Sequence, residues 1–138
     1  MVNDDCIFCK LANGVFETNT LYEDDDFRVI FDASPATKGH VLILPKEHAA
    51  NVFELSEETA SKVFVLVKKI ATVLKEVTGC EGVNILQNNG EIAGQTVFHF
   101  HMHIIPRYKG DTVNIGWTPG KADADEINEL KGKIAAGL

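Results

Sequence analysis

Residues 94–107 read GQTVFHFHMHIIPR, and within them a histidine takes every second position: His99, His101 and His103, alternating with Phe98, Phe100, Met102 and Ile104. Successive side chains of an extended strand point to opposite faces, so this run predicts a strand over 97–107 with one buried apolar face and one face of imidazoles. A polar strand face is ordinarily built from Thr, Ser, Lys, Glu and Gln, whereas here it takes three of the chain's five histidines. One straight strand cannot bring all three rings to a single ion. At about 3.3 Å per residue the outer Cα atoms lie roughly 13 Å apart, against a zinc to nitrogen bond of about 2.0 Å. Two of the rings could share a metal, and any of them could serve in acid/base work or nucleophilic attack.

The chain has 138 residues, of which 45% are hydrophobic. That is enough for one compact core and too little for two ordinary domains, so a single domain is expected over residues 1–138. Thirteen Lys and Arg against 20 Asp and Glu give a formal charge of -7. With no basic cluster, that balance disfavours extended nucleic-acid binding, while a pocket of backbone N–H groups and imidazoles could still hold one small phosphate compound. The opening MVNDDCIFCK lacks the basic start and apolar run of a signal peptide, and no segment has the length to span a bilayer. A cytoplasmic protein without membrane contact is expected. In a reducing compartment Cys6 and Cys9 read as metal or redox ligands rather than a disulfide, and Cys80 as a buried thiol.

Around the histidine segment the rest of the fold falls into place. CIFCKLAN reads as a short helix or turn ended by Gly14. TNTLYED and FRVIFD (27–32) form a hairpin across the acidic turn Asp24 to Asp26, and HVLILPK (40–46) is an apolar strand stopped at Pro45. Ser56 followed by Glu57 and Glu58 is a helix start, and Val63, Leu66, Val67, Ile70, Val73, Leu74 and Val77 trace one face of a long helix ending at Gly79. GVNILQNNG (82–90) is a further strand and ADADEINELKGKIAAG a terminal helix. The class expected is α+β, an antiparallel sheet with one long helix and a C-terminal helix.

GQTVFHFHMHIIPR, together with GHVLILPKEH, IFDASP and CIFCKL in that order, resembles the histidine-triad (HIT) superfamily over nearly the whole chain. The resemblance implies a HIT-like nucleotide-binding fold that usually pairs into a homodimer, and transfer or hydrolysis of a nucleoside monophosphoryl group through a covalent nucleotidyl-histidine. It makes His101 the nucleophile, His103 a stabiliser of the phosphoryl oxygens and His40 a supporting histidine. Gln95 and Thr96, with Gly94, correspond to the polar segment at the phosphate and leaving group, and Asn88 to an amide near the phosphate. Asp32 matches the ribose ligand, and Ile7, Phe8, Leu11, Ile30 and Ala33 match the walls around the base. For those five, core packing is the competing reading.

A CxxC alone is shared by zinc sites, redox motifs and accidents. Similarity to bacterial HIT proteins and galactose-1-phosphate uridylyltransferases implies a structural Zn2+ held by Cys6, Cys9, His48 and His99. The resemblance further implies a Hint-like enzyme cleaving a nucleoside 5'-phosphoramidate or acyl-nucleotide of the purine, AMP type. The alternatives are a Fhit-like dinucleoside polyphosphate hydrolase and a nucleotide-binding regulatory protein with vestigial catalysis. Asn88 and the CxxC favour the first and GQT leans toward the Fhit-like branch, while Trp117 and TPGK belong to a C-terminal region that borders the leaving-group side.

Overall fold

A computed structural model describes residues 3–138, so the first two residues of the expected 1–138 domain lie outside it. Five strands form one antiparallel sheet: β1 (Thr20–Glu23), β2 (Phe27–Phe31), β3 (Val41–Pro45), β4 (Gly82–Leu86) and β5 (Met102–Arg107), in the order β1-β2-β3-β5-β4. Helix α1 (Ile7–Ala12) precedes the sheet, α2 (Glu57–Thr78) joins β3 to β4, and α3 (Ala124–Ala136) follows β5. The class is α+β, as expected.

The local causes are legible. Asp24 Oδ1 accepts the Asp26 and Phe27 N–H groups at 2.8 Å each, closing the β1–β2 turn with a side chain in place of a backbone carbonyl. Ser56 caps α2 through the Thr59 N–H at 3.2 Å, and Gly79 ends the helix in the left-handed region at φ 67°. One face of the sheet, carrying Val29, Val41, Ile43, Met102 and Ile104, packs on Val63, Leu66, Val67, Ile70 and Leu74 of α2. The opposite face carries Ile30, Leu42 and Leu44 against Ala12, Phe8 and Leu11 of α1.

Register places the chemistry on that second face. Ile30 lies opposite Leu42, Leu42 opposite His103, and His103 opposite Leu86, a row running across four strands. Directly opposed residues share a face, so His103 points to the α1 side.

Two strands fall furthest short of the expected lengths. Strand β4 stops at Leu86, where Gln87 and Asn89 bind each other through their side chains at 2.6 and 2.8 Å. Strand β5 begins at Met102, not at Val97. Extending the β3–β5 register would set Phe100 against Pro45, which has no N–H to give and whose carbonyl is taken by His99 Nε2 at 2.8 Å. No helix among the described residues is long and apolar enough to cross a membrane.

Candidate active site and metal centre

Cys6, Cys9, His48 and His99 converge, with one ligand atom of each within 4.8 Å of the others. Cys9 Sγ lies 3.3 Å from His48 Nδ1 and 3.4 Å from His99 Nδ1, and Cys6 Sγ lies 3.5 Å from His99 Nδ1. A tetrahedral zinc with bonds of about 2.3 Å to sulfur and about 2.0 Å to nitrogen has S···N edges of roughly 3.5 Å, so the spacing fits. The ring chemistry fits as well. His99 Nε2 donates to the Pro45 carbonyl, which leaves the Nδ1 lone pair directed at the sulfurs, the outer-sphere arrangement that orients metal-bound histidines. Burial pushes the His99 imidazole down to about 4, so His99 is neutral at pH 7 with its Nδ1 lone pair free to ligate; burial also raises the Cys9 thiol, a shift that a bound cation would oppose.

A second cluster, Asp32, His40 and His103, has a different constitution. His40 Nε2 lies 2.9 Å from His103 Nδ1 and 3.5 Å from Asp32 Oδ2. The other ring nitrogen of His40 accepts the Ala36 N–H at 2.9 Å. Because a neutral ring has a single proton, it must then lie on Nε2, where a metal would need a lone pair. Of the two clusters only the first is arranged for a metal.

His101 Nδ1 lies 2.7 Å from the carbonyl oxygen of His99. A carbonyl only accepts, so Nδ1 carries the proton and Nε2 the lone pair. The His101 and His103 rings stand side by side, centroids 4.9 Å apart at 63°, and the Phe8 ring meets His101 edge-on at 4.8 Å. Among the described residues neither Nε2 has a protein partner, and no buried side-chain nitrogen lacks one, so both open on solvent in the cleft. Burial lowers the His101 and His40 imidazoles below their ordinary range and pushes His103 down to about 4.

The cleft beneath these rings has a volume of about 480 Å³. Of the residues expected there, it is lined by Phe8, Leu11, Ile30, Asp32, Ala33, Thr96, His101 and His103. The others stand elsewhere. Ile7 borders a neighbouring recess beside His48 and Phe98. Asn88 Nδ2 turns to the Gly94 carbonyl at 3.5 Å, close to where a Cβ on Gly94 would stand. Gln95 is buried behind the cleft: its Oε1 accepts the Gly90 N–H at 2.8 Å and its Nε2 donates to the Ala50 and Val97 carbonyls at 2.6 and 3.0 Å. Both ends of its amide are engaged in shaping the 90–97 loop, and Gln95 is not among the residues that line the cleft. Sequence reasoning missed Glu17, Thr18, Phe31, Ser34 and Leu42 of the lining, of which Phe31 and Ser34 flank expected residues in the IFDASP segment. Leu42 was within reach, being the cross-strand partner of Ile30; Glu17 and Thr18 lie on an irregular connection with no local signal.

Residues 13–110 match the family described as HIT domain. The chain is 39% identical over 134 residues to adenosine 5'-monophosphoramidase hnt1 of Schizosaccharomyces pombe, covering 96% of this chain and 98% of that protein. Among solved structures, a member of the HIT family of proteins from Bacillus subtilis is 41% identical with a TM-score of 0.91, covering 98% of both chains. A zinc-bound histidine triad family protein from Mycobacterium smegmatis is 32% identical with a TM-score of 0.75, covering 96% of this chain and 97% of that one. The matched span contains the whole sheet, α2 and the three alternating histidines, and the chain belongs to the HIT family.

Proposed function

We propose that this protein is a nucleotide hydrolase that cleaves a nucleoside 5'-phosphoramidate or acyl-nucleotide of the AMP type through a covalent nucleotidyl-histidine. The observation that carries the reading is the bond from His101 Nδ1–H to the His99 carbonyl, which leaves the Nε2 lone pair on the cleft. Nε2 attacks the α-phosphorus as the bond to the leaving amine breaks. That amine departs with a proton drawn from solvent; water then attacks the same phosphorus, its oxygen staying in AMP and a proton returning to solvent, and His101 returns neutral. His103 holds the phosphoryl oxygens, where charge develops. The base lies between Phe8, Leu11, Ile30 and Leu42, the ribose hydroxyls reach Asp32, and Thr96 borders the leaving group. A volume of about 480 Å³ is suited to one mononucleotide.

The same reading includes a resident Zn2+ on Cys6, Cys9, His48 and His99. With four protein ligands it would be a structural clamp with no open position for chemistry. It also includes one domain over residues 1–138, a cytoplasmic location in keeping with three free cysteines, and a homodimer. Support for pairing comes from the exposed Phe53, Phe64 and Trp117, and from α3, which among the described residues meets no other element.

The test is intact mass spectrometry after an acid-free quench with adenosine 5'-phosphoramidate. Wild type and His103→Ala are expected to gain one adenylyl group, which His101→Ala does not. An adduct that persists in His101→Ala removes the assigned nucleophile, and tight AMP binding with no adduct favours the regulatory alternative.

A further inference from the structure

His101 and His103 are the same side chain, neighbours in the same cleft, each with Nε2 open. A nucleophile needs a lone pair there and a phosphate donor needs a proton. The His99 carbonyl settles the matter for His101. For His103 the local geometry is silent, because an N···N contact of 2.9 Å between two imidazoles does not say which ring owns the proton.

The answer lies one ring further out. The Ala36 amide is 2.9 Å from His40 Nδ1 and can only donate. His40 Nδ1 therefore holds a lone pair, and the single proton of the neutral ring sits on Nε2, from which it is given to His103 Nδ1. His103 must then carry its own proton on Nε2, facing the cleft. A doubly protonated His40 would set two donors against each other at 2.9 Å. We propose that the Ala36 main-chain amide, acting through His40, makes His103 the hydrogen-bond donor of the pair, and that Thr37 is the positioning residue that holds this amide in place. Two backbone groups of opposite polarity, a carbonyl at 99 and an amide at 36, thus sort two identical rings into acceptor and donor.

The loop carrying the amide is fastened on both sides. Asp32 Oδ1 accepts the Ser34 N–H at 2.8 Å, and the buried Thr37 hydroxyl donates to the Pro106 carbonyl at 2.6 Å, three residues beyond His103 on β5. Gly39 completes the loop at φ 91°, and a Cβ there would stand 3.3 Å from Pro106 Cγ. The Ala36 side chain is itself exposed, so nothing about its identity as a residue matters except the N–H.

The proposal rests on the function proposed above for its catalytic meaning, and its test separates the two. Long-range 1H–15N spectra of the imidazoles in the free protein report which ring nitrogen is protonated, independently of turnover. In wild type and Ala36→Ser, which keeps the amide, His40 and His103 are expected as Nε2–H tautomers. Replacing residue 36 by its α-hydroxy acid changes the amide to an ester, and the His103 signal is expected to split between tautomers while adenylyl transfer falls about 10²-fold, the usual cost of one lost transition-state donor. Thr37→Val should move the spectra the same way, and Thr37→Ser should restore them. A wild-type His103 protonated on Nδ1, or a His103 tautomer unmoved by the ester and by Thr37→Val, overturns the proposal. Tautomers that behave as stated in a protein forming no adenylyl adduct leave the relay standing and overturn the proposed reaction instead.

Discussion

Four imidazoles in this protein are kept neutral chiefly by burial: His40, His99, His101 and His103 all lie below their ordinary range. For the proposed reaction this is favourable, since only an unprotonated His101 can attack. The rate constant for adenylyl transfer is therefore expected to stay level as pH is lowered through 6.5 and to fall only below it; a break at 6.5 or above would contradict a buried nucleophile. Stability carries the same sign. Below about 6.5 the unfolded chain takes up a proton on residue 103 that the folded chain refuses until about 4. Stability is thus full above pH 6.5 and is lost as pH falls from there toward 4. Urea midpoints at pH 7, 5.5 and 4.5 should decline less steeply for His103→Gln than for wild type. The alternation of histidines showed a shared face in the sequence. Which ring holds a lone pair and which a proton was not there to read, because groups at 36 and 99 decide it through contacts across the fold.

At the scale of elements, features set by neighbours in the chain were legible and features set by strand pairing were not. Helix α2 begins at its Ser56 cap and ends at Gly79 as its spacing predicts, because cap, periodicity and terminal glycine all act within a turn or two. The strand over 97–107 was half legible. Apolar and histidine residues go on alternating where the ladder has already ended, since Pro45 has no N–H to offer and His99 occupies its carbonyl. Two glycines separate a local from a tertiary requirement. Gly79 has φ 67° and open space around a Cβ, so Gly79→Ala should cost only the left-handed strain, about 1 kcal/mol. Gly39 has φ 91°, and a Cβ there would also meet Pro106 and Thr78 at 3.3 and 3.4 Å. Gly39→Ala should therefore lose more in a denaturant titration than Gly79→Ala; equal losses would mean that the 33–39 loop yields freely and does not hold His40.

Across the whole molecule the Cys2His2 cluster joins three stretches that are distant in the chain: α1 and its cap through Cys9 and Cys6, the segment after β3 through His48, and the segment before β5 through His99. The CxxC was visible in the sequence, but its partners lie 39 and 90 residues from Cys9, and only resemblance could name them. The terminal helix was equally visible while its packing was not, since among the described residues α3 buries none of its own and meets no other element. The cluster has consequences beyond its four residues. Helix α1 supplies Phe8 and Leu11 to the His101 cleft, and His99, whose ring would hold zinc, orients His101 with its carbonyl. Removing the proposed zinc with a chelator should therefore do three things together: lower the thermal midpoint, expose the N-terminal segment to proteolysis, and weaken AMP binding measured by calorimetry. His48→Ala removes one ligand while leaving every residue of the His101 cleft in place. It should reproduce all three effects, and restored zinc should reverse them in wild type but not in the variant. If chelation lowers the midpoint and AMP affinity is unchanged, the clamp holds the fold without holding α1 against the cleft, and the wall formed by Phe8 and Leu11 is kept by its packing on Ile30, Leu42 and Leu44 alone.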